Sequence, residues 1–189
     1  MNDLKEKIGR IKVSVVEKLT KEQEEAVKGL QKLAFTEVDD REAEEDFYHP
    51  VSIQVLAYIE NELVGWAGVH ETKQDFEGKK IKLGGYGICT HPSYQRKGIA
   101  SEVSKNAMES LKKNGVEVAF LSVDPSNTAS VKLHEKSGFI LLPRMFSWTN
   151  VHGELKESDG GMIAPVNSQE LFESVFNGSS TLYVGSGYW

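Results

Sequence analysis

The sequence predicts a mixed α/β domain, because strand-like and helix-like patterns follow one another along the chain. Runs of β-branched and apolar residues are separated by segments in which apolar residues recur at helical spacing. Val116–Val123 is apolar almost throughout, which is typical of a strand buried on both faces. The length of 189 residues is that of about one domain, so we expect a single domain over 1–189.

The first half of the chain indicates one strand, one helix and three further strands. Ile11–Val16 is rich in β-branched residues, as strands are. Thr20 and Gln23 have the spacing of a capping box, and the apolar residues that follow recur at helical intervals, so a helix begins here. The later strands are expected at Val51–Tyr58, Leu63–His70 and Lys80–Thr90.

The second half indicates two helices around the buried strand and then a less regular tail. An apolar stripe predicts a helix from Ile99 that ends at Asn114-Gly115, and a shorter helix ends at Gly138. Asn150–Gly161 is polar and is predicted to be a flexible loop. The remaining expectations are a strand at Phe139–Met145, a short apolar run at Met162–Ala164, a helix at Leu171–Phe176 and a strand at Thr181–Val184.

Composition and charge exclude several classes of protein. The formal net charge of -6 argues against general nucleic-acid binding. No apolar run approaches the ~20 residues that span a bilayer, and the first residues lack the apolar segment of a secretory signal. The one cysteine, Cys89, excludes a disulfide framework, and the histidines have no metal-ligand spacing. We expect a cytoplasmic protein without a metal, a membrane partner or a nucleic-acid partner.

Two neighbouring segments carry the chemical signal. Gly84-Gly85-Tyr86-Gly87 places three glycines in a strand, which often marks close approach of a ligand to the backbone. Gln95–Ala100 then opens the helix, and the small residues Gly98 and Ala100 would let a pyrophosphate reach the N–H groups at the helix N-terminus. An ordinary basic turn would explain that loop alone equally well, and it matches neither the Walker phosphate loop nor the three-glycine dinucleotide fingerprint.

The wider pattern resembles the GNAT superfamily of N-acetyltransferases. A glycine-bearing strand, Gln-x-x-Gly-x-Ala, an amphipathic helix, a buried strand, Asn127 and the stretch Leu133–Phe139 occur in that order. By topology the resemblance covers a core of about 11–146 and leaves 147–189 as a C-terminal extension with extra strands. It implies a V-shaped opening between the strands Lys80–Thr90 and Val116–Val123, which receives the pantetheine arm of acetyl-CoA.

The resemblance also implies which residues bind the cofactor. Ile88, Cys89 and Thr90 would hydrogen-bond the pantetheine through their backbone groups, and Asn127 would contact the cofactor arm from the start of the second helix. The residues expected at the pyrophosphate are Gln95, Arg96, Lys97, Gly98, Ile99 and Ala100.

Direct acetyl transfer needs a neutral amine, a donor for the carbonyl oxygen and a proton for the departing thiolate. The backbone N–H of Ile88 is expected to polarise the carbonyl. His134 replaces the tyrosine of the family stretch Leu-Tyr-x-Lys-x-Gly-Phe and is our candidate general acid; the alternative is a packing histidine, with water as the proton source. Tyr86 is expected to position the amine or a water, or else to be a packed strand tyrosine. Cys89 is interpreted as a small buried thiol.

The charge distribution points to a cationic acceptor. His91–Lys136 carries +2 and the rest of the chain -8. Glu37–Asp46 contains seven acids, among them the candidate acceptor ligands Glu37, Asp39 and Asp40. Such a run would attract a polycation, although a solvated acidic surface is the simpler alternative.

The tail is similar to that of aminoglycoside 2′-N-acetyltransferases, which end in an extra strand and a terminal tryptophan. Asp159 and the carboxylate of Trp189 would match acidic groups that face the aminoglycoside. The match is incomplete, because two acids of that family correspond to Gly187 and Tyr86 here.

Three functional hypotheses follow from these patterns. The first is an acetyl-CoA-dependent N-acetyltransferase for a cationic small-molecule amine, with aminoglycosides as the first candidate and polyamines or amino-sugar metabolites next. The second is acetylation of a protein or peptide amine. The third is a non-catalytic acyl-CoA-binding or antibiotic-binding module. Pairing of the late strands in a homodimer is a family-level possibility.

Overall fold

Ten strands and four α-helices occur in the residues that the computed structural model describes, which are 11–35, 51–150 and 152–187. In chain order the strands are β1 (Ile11–Val16), β2 (Ile53–Ile59), β3 (Glu62–Phe76), β4 (Lys79–Thr90), β5 (Val118–Ser122), β6 (Ile140–Leu141), β7 (Phe146–Thr149), β8 (Leu155–Ser158), β9 (Gly161–Pro165) and β10 (Leu182–Ser186). The α-helices are α1 (Lys21–Ala34), α2 (Ile99–Lys113), α3 (Thr128–Lys136) and α4 (Gln169–Asn177), with a 3-10 turn at Pro92–Tyr94.

Local signals determine where helix α1 begins. The Thr20 hydroxyl accepts from the Gln23 backbone N–H at 3.2 Å, and the Gln23 side chain accepts from the Thr20 N–H at 2.9 Å. These two bonds complete the predicted capping box and satisfy N–H groups that have no partner inside the helix. The helix buries Val27 and Leu30 against the sheet.

The central sheet has seven strands in the order β1-β2-β3-β4-β5-β9-β6. β1 to β4 pair antiparallel, and β3 and β4 stay in register from Gly65↔Thr90 to Phe76↔Lys79. β4 and β5 are parallel neighbours, while β9 runs antiparallel to both β5 and β6. The predicted mixed α/β class is therefore confirmed.

Helices cover the two faces of this sheet unequally. On one face, α2 packs its apolar stripe against β1 to β4 in one continuous core, to which Tyr86 also belongs. The other face carries two separate cores. One lies under α1 and includes Trp66 and Cys89; the other lies under α4 and a three-stranded sheet, β10-β7-β8, and includes Leu83 and Phe120.

The predicted strand Phe139–Met145 is wrong in extent. Only Ile140–Leu141 pairs with the central sheet, and the chain then passes through Pro143, which has no N–H to donate to a ladder. Phe146–Thr149 continues in the three-stranded sheet, where the rings of Phe146 and Trp148 stack at 5.4 Å.

The predicted loop Asn150–Gly161 is also wrong, because Leu155–Ser158 pairs antiparallel with β7. Asn150 closes the connecting turn: its side-chain oxygen accepts from the backbone N–H groups of His152 and Glu154 at 3.0 and 2.9 Å. An asparagine side chain that binds the following backbone stabilises such a turn. Polarity here indicates an exposed hairpin rather than a loop.

The C-terminal part of the chain contributes to the centre of the fold. β9 lies between β5 and β6, and its Met162, Ile163 and Ala164 are fully buried. The segment expected as an extension therefore supplies the strand that flanks β5.

Candidate functional site

β4 and β5 separate after a short paired stretch. Their ladder contains Leu83↔Val118 and Gly84↔Ala119, although β4 continues to Thr90 and β5 to Ser122. Gly84 lies at this junction: a Cβ there would lie 2.6 Å from a Leu111 methyl group and 2.8 Å from a Val116 methyl group, so glycine lets α2 pack closely on β4. The predicted opening between the two strands is confirmed.

Backbone groups of β4 line the opening. Glu117 N–H donates to the Lys82 carbonyl at 2.9 Å, so the backbone of Lys82 faces β5. Because successive residues of a strand turn these groups to opposite sides, those of Ile88 and Thr90 also face the opening. The backbone groups of Cys89 face β3 instead, and its thiol lies buried under α1.

The start of α2 offers unpaired donors beside the opening. Gly98 is the N-cap with φ 83°, and no side chain caps this end. The first backbone bond of the helix is from Glu102 N–H to the Gly98 carbonyl at 3.0 Å, which leaves the N–H groups of Ile99 and Ala100 directed out of the helix end. Such an end with its positive dipole suits an anion.

The rim of this turn carries two cations in different settings. Gln95 and Arg96 are exposed, and Arg96 adopts a left-handed φ of 60°. Lys97 donates to the Ser93 carbonyl at 3.0 Å and lies 4.6 Å above the Tyr94 ring. Arg96 is therefore the better placed of the two to meet an anion at the turn.

Asn127 is the N-cap of α3. Its side-chain oxygen accepts from the Ser130 N–H at 3.1 Å, which satisfies one donor at the start of the helix. The structure thus assigns its carbonyl oxygen to capping, and its amide group lies at the turn that follows β5.

A polar cluster lies on the α2 face of β4, and it comprises the buried residues Tyr86, Ser104 and His134 and the half-buried Ser137. Tyr86 Oη lies 2.7 Å from Ser104 Oγ and 3.3 Å from His134 Nδ1. Ser104 Oγ lies 2.8 Å from Ser137 Oγ. The Tyr86 and His134 rings are 5.6 Å apart, and each lies against Phe139. The two proposed catalytic side chains are thus brought together.

Burial controls the protonation of this cluster. Desolvation lowers the pKa of His134 to about 4, so the imidazole is neutral at neutral pH. Desolvation also raises the pKa of Tyr86 to about 12, against smaller opposing effects of the neighbouring Ser104 and Ser137 hydroxyls. Both side chains therefore hold their neutral forms.

The sequence reasoning missed Ser104 and Ser137. Ser104 is fully buried, and it precedes Ala107 and Leu111 at the spacing that places three residues on one helix face. That spacing is the signal that could have identified it as a buried polar residue. Ser137 lies just after α3 and has no comparable signal.

Of the predicted acceptor residues, Asp159 lies within the described chain. It is exposed in the turn between β8 and β9. The next residue, Gly160, accepts from the Val123 N–H at 3.0 Å, which places this turn at the end of β5 where the opening is widest. Glu37, Asp39, Asp40 and Trp189 lie outside the described residues.

The described residues hold neither a metal-binding cluster nor a membrane-spanning helix. They contain no group of three or more His, Cys, Asp or Glu side chains arranged to hold a metal ion. None of their helices is long and apolar enough to cross a membrane.

The mixed sheet, the parallel central pair that separates, and the uncapped helix start together define the fold of the GNAT acetyltransferases. A family model described as the acetyltransferase (GNAT) family matches residues 17–139. The chain belongs to the GNAT family.

Relatives of the chain act on different acceptors. Ribosomal protein bS18-alanine N-acetyltransferase of Escherichia coli is 35% identical over 54 residues, which are 29% of this chain and 36% of that protein. The match therefore spans about a third of the curated relative's length.

Solved structures share the fold at low identity. The structure of yncA, a putative acetyltransferase from Salmonella typhimurium with its cofactor acetyl-CoA, has a TM-score of 0.58 at 14% identity and covers 85% of this chain and 96% of that chain. An aminoglycoside acetyltransferase from an uncultured soil metagenomic sample has a TM-score of 0.52 at 14% identity, and the match covers 67% of this chain and 86% of that chain.

We predict that Cys89 is unreactive in the native protein. Its side chain is buried, and desolvation raises the pKa of the thiol to about 12, so little thiolate exists near neutral pH. A disulfide reagent such as dithionitrobenzoate should label the thiol at pH 8 only after denaturant is added. Rapid labelling of the folded protein would contradict this prediction.

We predict that His134 makes the protein less stable in mild acid. The unfolded chain takes up a proton near pH 6.5, whereas the native imidazole stays neutral down to about pH 4. The free energy of unfolding is therefore highest above pH 6.5 and falls by roughly 1 kcal/mol for each pH unit towards pH 4. Urea unfolding measured between pH 7.5 and 4.5 checks this slope.

The matched variant for this measurement is His134→Gln. It removes the titrating group, so the loss of stability between pH 6.5 and 4.5 should become shallower than in the wild type. Equal slopes for the two proteins would show that His134 is charged or solvated in the folded state.

Proposed function

We propose that the protein transfers the acetyl group of acetyl-CoA to an amine of a cationic acceptor. The observation that carries this proposal is the opening between β4 and β5, lined by unpaired backbone of Ile88 and Thr90 and adjoining the uncapped start of α2. The GNAT family uses acetyl-CoA, and one neighbour in the structure comparison contains it.

The described residues fit the donor along its length. The N–H groups of Ile99 and Ala100 would hold the pyrophosphate, with Arg96 at the rim. The backbone of Ile88 and Thr90 would bind the pantetheine arm, and the Ile88 N–H would polarise the thioester carbonyl. When bound, acetyl-CoA supplies the acyl group as a reactive thioester. The other proposed donor contacts are Gln95, Lys97, Gly98 and Asn127.

The acceptor would approach from the face opposite Tyr86 and present its amine to His134 through the opening between β4 and β5. That face has two separate cores, and nothing in the described part of the chain lies within 4 Å of a Cβ added at Gly87. Gly87 pairs with Gly68, where a Cβ would lie 3.0 Å from Val51.

Proton transfer would use the buried cluster. The attacking amine must lose one proton and the departing sulfur must gain one, so that the products are an amide and free CoA thiol. His134 is neutral and has a lone pair, so it would first accept the proton that the amine loses and then supply one to the thiolate. His134 would therefore act first as a general base towards the amine and then as the general acid towards the thiolate.

A peptide amine is the second candidate acceptor. It is favoured by the similarity to an enzyme whose name specifies the alanine of a ribosomal protein. The structural similarity to an aminoglycoside acetyltransferase favours the small-molecule acceptor instead. Carboxylates at the acceptor site would suit either a cationic peptide or a cationic small molecule. The proposed ligands are the side chains of Glu37, Asp39, Asp40 and Asp159 and the main-chain carboxylate of Trp189.

Release of CoA thiol tests the proposal directly. The protein is incubated with acetyl-CoA in separate assays that each contain one acceptor class: aminoglycosides, polyamines or basic peptides. We expect turnover with one class, reduced kcat in His134→Ala, partial activity in His134→Tyr, and a raised acceptor KM in Asp159→Asn. A peptide acceptor should show dependence on the residues that follow the amine.

Two results would count against this proposal. Tight acetyl-CoA binding without thiol release for any acceptor would indicate a binding module. Wild-type kinetics in all three variants would show that the proposed site residues are not those that act.

A further inference from the structure

The hydrogen bonds around His134 form one continuous chain of four contacts. It runs from His134 Nδ1 to Tyr86 Oη at 3.3 Å, to Ser104 Oγ at 2.7 Å and to Ser137 Oγ at 2.8 Å. It ends with Ser137 Oγ at 3.4 Å from the Leu133 carbonyl oxygen. We refer to the three side chains Tyr86, Ser104 and Ser137 as the hydroxyl chain.

The contact with the Leu133 carbonyl determines which way the hydrogen bonds of the hydroxyl chain are donated. A carbonyl only accepts, so Ser137 must donate to Leu133. At this helix end the Ser137 backbone N–H donates to the His134 carbonyl at 2.9 Å, and the Ser137 hydroxyl donates to the Leu133 carbonyl. Each preceding hydroxyl then donates towards Ser137, and Tyr86 donates to Ser104.

The number of available protons determines which group donates in the contact between His134 and Tyr86. Four hydrogen bonds need four protons, and the three hydroxyls supply three. The fourth must come from the imidazole. We infer that the hydroxyl chain holds neutral His134 in the Nδ1–H tautomer, with a lone pair on Nε2, so that Ser104 and Ser137 are positioning residues for it.

The opposite direction would cost a hydrogen bond. If Tyr86 donated to Nδ1, the three hydroxyl protons could fill only three of the four contacts. With a proton on Nδ1, all four contacts are hydrogen bonds. A contact between buried polar groups that lacks its proton is costly, so the orientation with all four bonds is favoured.

This tautomer deepens the role proposed for His134, and that consequence rests on the proposed function. In the Nδ1–H form, Nε2 accepts a proton and offers none, so His134 must take the proton of the amine before it can serve the thiolate. The tautomer itself follows from the hydrogen bonds and does not depend on catalysis.

Long-range proton–nitrogen NMR of protein labelled with nitrogen-15 in histidine tests the inference. The shifts of the two ring nitrogens distinguish a protonated nitrogen from a bare one, and signals absent from His134→Gln identify the residue. At pH 7.5 we expect a protonated Nδ1 and a bare Nε2. In Ser104→Ala, Tyr86 loses its acceptor and its hydroxyl can turn to Nδ1, so the Nε2–H form should become the major one.

The same helix offers a matched control. Ser110 is also buried, but its hydroxyl donates to the Asn106 carbonyl at 2.9 Å, within α2, so Ser110→Ala should leave the tautomer unchanged. If Ser104→Ala does not fold, Tyr86→Phe keeps the ring and removes the hydroxyl, and a mixture of tautomers is then expected.

Two spectra would overturn the inference: an Nε2–H form in the wild type, or a tautomer that is the same in the wild type and in the folded hydroxyl-chain variant. These readings need no substrate. A protein that fails the thiol-release assay but shows the Nδ1–H form would refute the proposed function alone.

Discussion

Ala100→Glu is expected to weaken acetyl-CoA binding by roughly 100-fold, or about 2.7 kcal/mol. Ala100 is the second residue of α2, whose N-terminal N–H groups are directed outwards and have no side-chain cap. A carboxylate placed here would compete for these donors and repel the pyrophosphate that we assign to them. The dissociation constant is measured by calorimetry with acetyl-CoA.

The effect of this substitution on stability should have the opposite sign. A negative charge in the first turn of a helix stabilises it by about 0.3–1 kcal/mol, so the melting temperature should not fall. Ala100→Gln is the control, because it has nearly the same size and no charge, and it should weaken binding much less. Equal binding by Ala100→Glu and the wild type would place the pyrophosphate elsewhere.

Gly160→Ala is expected to reduce the free energy of unfolding by roughly 3 kcal/mol. Gly160 has φ 81°, a left-handed conformation that L side chains rarely adopt. A Cβ there would also overlap the Val123 carbonyl oxygen and lie 3.0 Å from the Pro125 ring. Since Gly160 accepts from the Val123 N–H, the clash would displace the end of β5 beside the opening.

The cost of the left-handed backbone and the cost of the steric overlap can be separated with Gly153→Ala. Gly153 has a similar φ of 78°, but no atom of the described residues lies within 4 Å of its added Cβ, so only the conformational cost of ~1 kcal/mol should appear. Chemical denaturation of both variants measures the difference. Similar losses in the two proteins would show that the turn moves freely to accommodate the methyl group at Gly160.

Much of the backbone geometry at the proposed cofactor site could be predicted from residues close together in the sequence. The capping box of α1 and the small residues at the start of α2 each act within a few positions. Gly98 is an example, since its left-handed φ of 83° favours glycine at that position, whereas Gly84 is explained by the packing of the distant residues Leu111 and Val116. Such signals survive without knowledge of the rest of the fold.

The predictions failed where the partner of a segment decided its structure. Ile140–Leu141 is strand only where it meets β9, and Leu155–Ser158 only where it meets β7. Cys89 lies in a well-predicted strand, yet its backbone faces β3. The direction of backbone groups depends on which neighbour occupies each edge, and that neighbour is distant in sequence.

By itself, the sequence determined the mixed α/β class, the family pattern and the positions of the two segments that we assign to acetyl-CoA. Only the tertiary structure placed β9 beside β5 and joined Tyr86 to Ser104 and His134, which are 18 and 48 residues away. Caps, glycines and periodicity act through local backbone geometry and so remain visible in a linear chain. The protonation of His134 depends instead on burial and on hydrogen bonds between distant segments, which exist only once α2 and α3 have packed against β4.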